Sequence, residues 1–156
     1  MGAAADRPAP QAPPASKRGY DYQHFVCPWH WYTPAAARIE EWNFSGVYFD
    51  GLHPADCHLY EAKHGYDGFL ETRDWSATGG PELRPWAVQA DIQETVFEPM
   101  LRQGRNQHRA VLPHFGEVQL TWVFSHIDTR LYVGRLFLDG IDGWYHDMEV
   151  RQWTSG

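Results

Sequence analysis

Gly46-Val47-Tyr48-Phe49-Asp50, then His58-Leu59-Tyr60-Glu61-Ala62-Lys63, are the two runs whose reading governs the fold. Both are rich in the aromatic and β-branched residues that fill strands. Between them Gly51 to Asp56 supplies the Gly, Pro and Asp of a turn, so a hairpin is expected. Side chains alternate faces along a strand, which puts Leu59, Glu61 and Lys63 on one face, with Glu61 and Lys63 roughly 7 Å apart. Asp50, closing the first strand, is expected beside Glu61 on its neighbour. Two carboxylates held that close repel each other unless a cation lies in the gap. A hard divalent ion such as Mg²⁺ or Mn²⁺, held by Asp50, Glu61 and the Ala62 carbonyl, suits this donor set. Such an ion acidifies bound water and polarises a phosphorus centre. Lys63 would orient the water or offset charge developing on the phosphate. Taken alone, an acid-x-Lys triplet is more often the mark of an ordinary surface strand.

The longer phrase from Glu41 to Gly51 (EWNFSGVYFDG), with Cys57 to Lys63 (CHLYEAK) and Gly65-Tyr66-Asp67-Gly68-Phe69, resembles the fifth group of restriction-endonuclease-like polymorphic toxin domains. Tyr22-Gln23, Gln107, Leu120 to Ser125 and Glu149-Val150 extend the likeness over most of residues 19–153. The resemblance implies an α/β fold, a restriction-endonuclease-like α/β/α sandwich with a central mixed sheet, and PD-(D/E)XK nuclease chemistry. By it Asp50, Glu61 and Lys63 take the catalytic positions, with Asp50, Glu61 and Ala62 as metal ligands. Gln107 matches a helical glutamine that such nucleases often place near the site, in competition with Gln89 and Gln93. Related enzymes often carry a glutamate on the first helix. That region here offers Gln23, while Glu40 and the accessory candidate Glu41 follow in a strand-like stretch. The implied setting is a bacterial effector, exported by a contact-dependent apparatus such as type VI secretion through a delivery protein. It would cut DNA in the target-cell cytoplasm and be neutralised by a cognate immunity protein. The alternatives are an RNase on the same core and a non-catalytic, aromatic-rich binding module.

A net charge of −7, from 13 basic and 20 acidic residues, runs against a nucleic-acid partner. Arg102, Arg105 and Arg109, three and four apart on a predicted helix, form the one basic ridge that would answer it, although an ordinary solvated helix face has the same spacing. His64, next to Lys63, is a candidate proton donor to the leaving oxygen. Cys27 and His30, with His53 and Cys57, draw a possible zinc site, and a Cys27–Cys57 disulfide is a further option. Trp29, Trp31, Tyr32, Tyr66 and Trp75 are the aromatics best placed for base stacking or a protein contact.

The chain has 156 residues, 43% hydrophobic, with eight each of Trp, Tyr and Phe, which suits one domain with a substantial core. Residues 1–18 read as a disordered Ala/Pro-rich linker and 19–156 as the nuclease toxin domain. No signal-peptide pattern and no membrane-spanning run is present, so no membrane partner is expected. A short helix is expected over residues 19–26 and a strand over 38–44 that turns at Ser45-Gly46. Thr33-Pro34 with Ala35 to Ala37 is an alternative helix start. Residues 71–85 read as loop and 86–97 as helix, with Pro99 a break before a second helix over 100–111. Val118, Leu120, Trp122 and Phe124 alternate as a strand. Ser125 and Asp128 form a capping-box-like pair before a helix whose apolar stripe is Ile127, Leu131, Gly134 and Leu138. Gly140 ends it, and a last strand over residues 148–153 completes a parallel crossover.

Overall fold

The computed structural model of the chain describes residues 17–30, 32–33, 38–39, 41–73 and 79–153. Trp31, Glu40, Trp75, the alanines at 35–37 and residues 1–16 of the Ala/Pro-rich stretch lie outside the described residues. Helix α1 (Lys17–Val26) comes first, followed by the two-residue strands β1 (Tyr32–Thr33) and β2 (Arg38–Ile39), which pair antiparallel. Ser45 and Gly46 then both take left-handed backbone, at φ 52° and 82°. Two such residues in succession make the tight turn whose twist matches a hairpin, so β3 (Trp42–Phe44) folds back on β4 (Val47–Phe49).

At Asp50 the chain leaves that hairpin and enters a different sheet. Strand β5 (Gly51–His53), not β4, pairs with β6 (His58–Lys63), with Leu52 opposite Leu59. The expected strand thus stops at Phe49, Asp50 forms a bend, and Gly51–His53, expected as part of the turn, is the strand that pairs with β6. Pro54–Asp56 forms a 3₁₀ turn and Cys57, at φ 50°, closes it. Glu71, Glu82 and Leu83, within the stretch expected to be loop, instead belong to β7 (Leu70–Glu71) and β8 (Glu82–Leu83), paired antiparallel.

Helix α2 (Pro85–Gln89) is short because Asp91 adopts φ 56°, which no helix continues. A π turn over Gln93–Phe97 runs directly into α3 (Glu98–Val111). Pro99 therefore sits in the first turn of α3, where its missing N–H is cheap, and the widened turn before it removes the break expected there.

The remaining elements are β9 (Gln119–Phe124), α4 (Ile127–Gly140) and β10 (Asp147–Val150). His126, not Ser125, caps α4, its Nδ1 accepting from the Asp128 N–H at 3.3 Å. The face that α4 buries is Thr129, Val133 and Phe137; Ile127 and Leu138 of the expected stripe are exposed.

The main sheet has the order β10-β9-β6-β5, parallel between β10, β9 and β6 and antiparallel at β5. It is the central mixed sheet of an α/β sandwich, with helices against both faces. One face carries the large core, where Leu59, Leu120, Trp122 and Phe124 meet Met100 and Leu101 of α3 and Val133 and Phe137 of α4. The other is covered by α1 through Tyr22 and Val26 against Val123, Tyr60 and Ala62. Strand β9 is buried on both faces, as a central parallel strand must be.

Gly104 lets α3 and α4 approach. A Cβ there would lie 2.5 Å from the Phe137 ring and 3.2 Å from Ile141. That ring is wedged edge-on between Trp122 at 4.9 Å and Trp144 at 4.8 Å, so it cannot yield cheaply. Gly104→Ala should therefore lower the urea midpoint: overpacking costs about 1–3 kcal/mol, against a helix-propensity gain of about 1 kcal/mol.

Candidate active site

Strand alternation sends Leu59, Glu61 and Lys63 to the α3 side of the sheet, where Glu61 is 2% exposed and Asp50 7% exposed. Asp50 reaches Glu61's neighbourhood from the bend: its Oδ2 accepts from the Ala62 N–H at 2.8 Å, and its carbonyl accepts from Gln23 Nε2 at 3.0 Å. Gln23, on α1, thus anchors the bend from the opposite side of the sheet. Within a strand the N–H and C=O of one residue leave by the same edge. The Ala62 carbonyl therefore projects towards Asp50, past the last β5–β6 pair at Gly51 and Tyr60.

Glu61 is held at both oxygens. Oε1 accepts from Gln107 Nε2 at 2.8 Å; Oε2 accepts from Gln103 Nε2 at 2.9 Å and pairs with Lys63 Nζ at 3.2 Å. The Gln107 amide is oriented by the indole of Trp122, a pure donor, whose Nε1 reaches Gln107 Oε1 at 2.8 Å. Lys63 also donates to Gln103 Oε1 at 2.7 Å and lies 5.3 Å from the centre of the Trp122 ring. Its side chain keeps 15% exposure, against 3% for that of Glu61, so the lysine is the less buried of the two.

The electrostatics are those of a site with too much negative charge. Burial, then repulsion from Glu61, pushes the Asp50 carboxyl well above the ordinary range, only partly offset by Lys63 and the Ala62 N–H. Glu41 is pushed up to about 7 by burial and by Glu61. Burial acts to lower Lys63, but Glu61, Tyr66 and Asp50 outweigh it and hold the ammonium above its usual value. One lysine facing three carboxyl groups leaves a deficit of positive charge. Among the described residues no three or more His, Cys, Asp or Glu are arranged around one metal position. Two carboxylates and a backbone carbonyl, all oxygen, would suit an ion that keeps several of its waters, as Mg²⁺ does.

Residues 19–126, more than half of the chain, match the family described as restriction endonuclease fold toxin 5, and Asp50, Glu61, Lys63, Gln103 and Gln107 all fall inside the match. The chain belongs to this toxin family. No curated protein sequence matches the toxin. Strand β10, with Glu149 and Val150, lies beyond the matched residues yet completes the sheet.

Other residues singled out in the sequence lie apart from this cluster. His64 points to the α1 face, its Nδ1 2.9 Å from Ser125 Oγ and its ring stacked 5.4 Å from Tyr22. Arg105 donates to the Gly140 carbonyl at 2.9 Å, while Arg102 and Arg109 are exposed. At about 100° per residue, these arginines occupy the flank of α3 turned away from Gln103 and Gln107. Gln93 meets Tyr132 and Glu98, and Gln89 is exposed, so neither competes with Gln107. The zinc reading is corrected: Cys27 is buried against Gly51, His30 accepts from the Leu52 N–H, His53 pairs with Asp56 and Cys57 faces the Pro54 carbonyl. Both cysteines are free thiols. Sequence reading missed Gln103 and the supporting role of Trp122. The spacing of Gln103 and Gln107, four apart on one helix, was the available signal.

Proposed function

We propose that this toxin is a divalent-metal-dependent nuclease that hydrolyses DNA phosphodiester bonds, with Asp50, Glu61 and Lys63 as its catalytic residues. The observation that carries the reading is the joining of two buried carboxylates and one ammonium at the C-terminal end of β6. Asp50, Glu61 and the Ala62 carbonyl would hold Mg²⁺ or Mn²⁺. When bound, the ion supplies an acidified water and a Lewis acid for the phosphate oxygen. Gln107 and Gln103 keep Glu61 aimed by occupying one direction at each of its oxygens. The Ala62 N–H does the same for Asp50. Lys63 presents a positive donor to the charge that grows on the phosphate as the attacking oxygen arrives. Glu61, Tyr66 and Asp50 outweigh its burial and hold it above its ordinary value, which favours the ammonium and a charge-stabilising role.

Membership in a toxin family supports the biological setting that we propose with it. The protein acts as a bacterial effector delivered by a contact-dependent secretion apparatus, type VI secretion among them, into the cytoplasm of a competitor. A cognate immunity protein blocks it in the producing cell. No helix among the described residues is long and apolar enough to cross a membrane.

Incubation of the purified toxin with supercoiled plasmid tests the activity. Nicking and linearisation are expected with Mg²⁺ or Mn²⁺ and none with EDTA. Intact plasmid under both metals would remove the DNase assignment, and cleavage of RNA alone under the same conditions would move the substrate to RNA.

A further inference from the structure

Eleven of the 13 basic residues are arginine; the chain has only two lysines, Lys17 and Lys63. An ammonium at position 63 is held differently from a guanidinium. It has three donors on a point charge and no rigid fork to orient it, so its direction must come from its neighbours. With Glu61 as its sole partner, Lys63 would settle on that carboxylate as a closed ion pair. Gln103 competes with that carboxylate. Nζ lies 3.2 Å from Glu61 Oε2, and the Gln103 amide bridges the pair, Oε1 accepting from Lys63 Nζ at 2.7 Å and Nε2 donating to Glu61 Oε2 at 2.9 Å. The two contacts assign the amide orientation, because the opposite one would place an NH₂ against an ammonium and a carbonyl against a carboxylate.

We propose that Gln103 is a positioning residue that sets the direction of the Lys63 ammonium. It draws one N–H of Nζ away from Glu61 and leaves the third donor for the substrate phosphate. This rests on the nuclease reading and adds to it a residue that acts through Lys63 without touching the reacting atoms. Gln107 acts elsewhere. With 0% exposure, its amide is committed by hydrogen bonds to Glu61, Trp122 and the Tyr48 carbonyl.

Two lysines make the test direct. In full-length toxin labelled with ¹⁵N-lysine, the hydrogen-bonded Lys63 ammonium is expected to give a protected signal distinct from that of Lys17. Gln103→Leu, which keeps bulk and removes both polar contacts, should abolish or strongly broaden it. Gln103→Glu, which keeps an acceptor oxygen for Nζ, should retain it. On DNA with Mg²⁺, Gln103→Leu should lower kcat about 10- to 100-fold, the range for residues that orient a functional group. KM should stay within about twofold, since the loss falls on the transition state. If Gln103→Leu does not fold, Gln103→Met, of similar length and without a donor, carries the same comparison. An unchanged Lys63 signal in the folded Leu or Met variant overturns the proposal, as does a raised KM at constant kcat. Wild-type toxin that cuts neither DNA nor RNA would instead remove the nuclease reading, and the lysine signal would still decide whether Gln103 holds Lys63.

Discussion

Lys63→Ala and Asp50→Ala are each expected to lower plasmid cleavage by at least about 10²-fold, the loss seen when one preorganised charge-stabilising donor is removed. The two arise differently. Lys63→Ala removes the positive group from the phosphate and leaves Glu61 and Asp50 without the one cation that, among the described residues, lies close to them. An uncompensated buried charge costs about 3–5 kcal/mol, so this variant should also melt earlier. Asp50→Asn is the cleaner probe. It keeps an oxygen for the Ala62 N–H while removing a charge that burial and Glu61 both disfavour. Asp50→Asn should therefore be inactive and at least as stable as the wild type. Full activity in a folded Asp50→Asn or Lys63→Ala protein, measured as plasmid nicking or as killing on expression, would reject the assigned site.

The second large effect is a coupling between pH, metal and stability. Glu41 is pushed up to about 7 from an ordinary 4.5, and Asp50 moves in the same direction. Both folded-state values lie above the unfolded ones, so between them the folded chain binds more protons than the unfolded chain. The stabilisation that protonation provides is complete below the unfolded values and is lost as pH rises through the folded ones. In EDTA, the melting temperature is therefore expected to fall from pH 6 to pH 8. A divalent ion replaces the proton, so saturating Mg²⁺ should raise Tm more at pH 8 than at pH 6. At 100 times its Kd a ligand adds about 2.7 kcal/mol, and at this chain length each kcal/mol corresponds to roughly 2–4 °C. A Tm that climbs from pH 6 to pH 8 in EDTA, or a metal effect independent of pH, would contradict the crowded-carboxylate picture.

Much of the site was readable because its signals are local. The face shared by Glu61 and Lys63 follows from the period of a strand and survived folding unchanged. The turn at Ser45-Gly46, the helix over residues 127–140 and the strand over 119–124 likewise depend on chemistry within a few residues. The errors share another origin. Ile127 and Leu138 looked like a core stripe because a sequence shows spacing but not which side of a helix meets the sheet; α4 buries the Thr129, Val133 and Phe137 side instead. Ser125 looked like a cap because its hydroxyl suits one. In the fold that hydroxyl is taken by His64 and the Gly65 N–H, contacts 61 and 60 residues distant.

Sequence alone determined which groups carry the charge and on which strand face two of them stand, since alternation is a property of the backbone. Tertiary structure decided that the chain bends at Asp50, that Gln103 and Gln107 arrive from a helix more than forty residues downstream, and that the arginines of that helix look elsewhere. Those outcomes depend on which surfaces are buried together, and burial is a property of the packed whole that no local pattern contains.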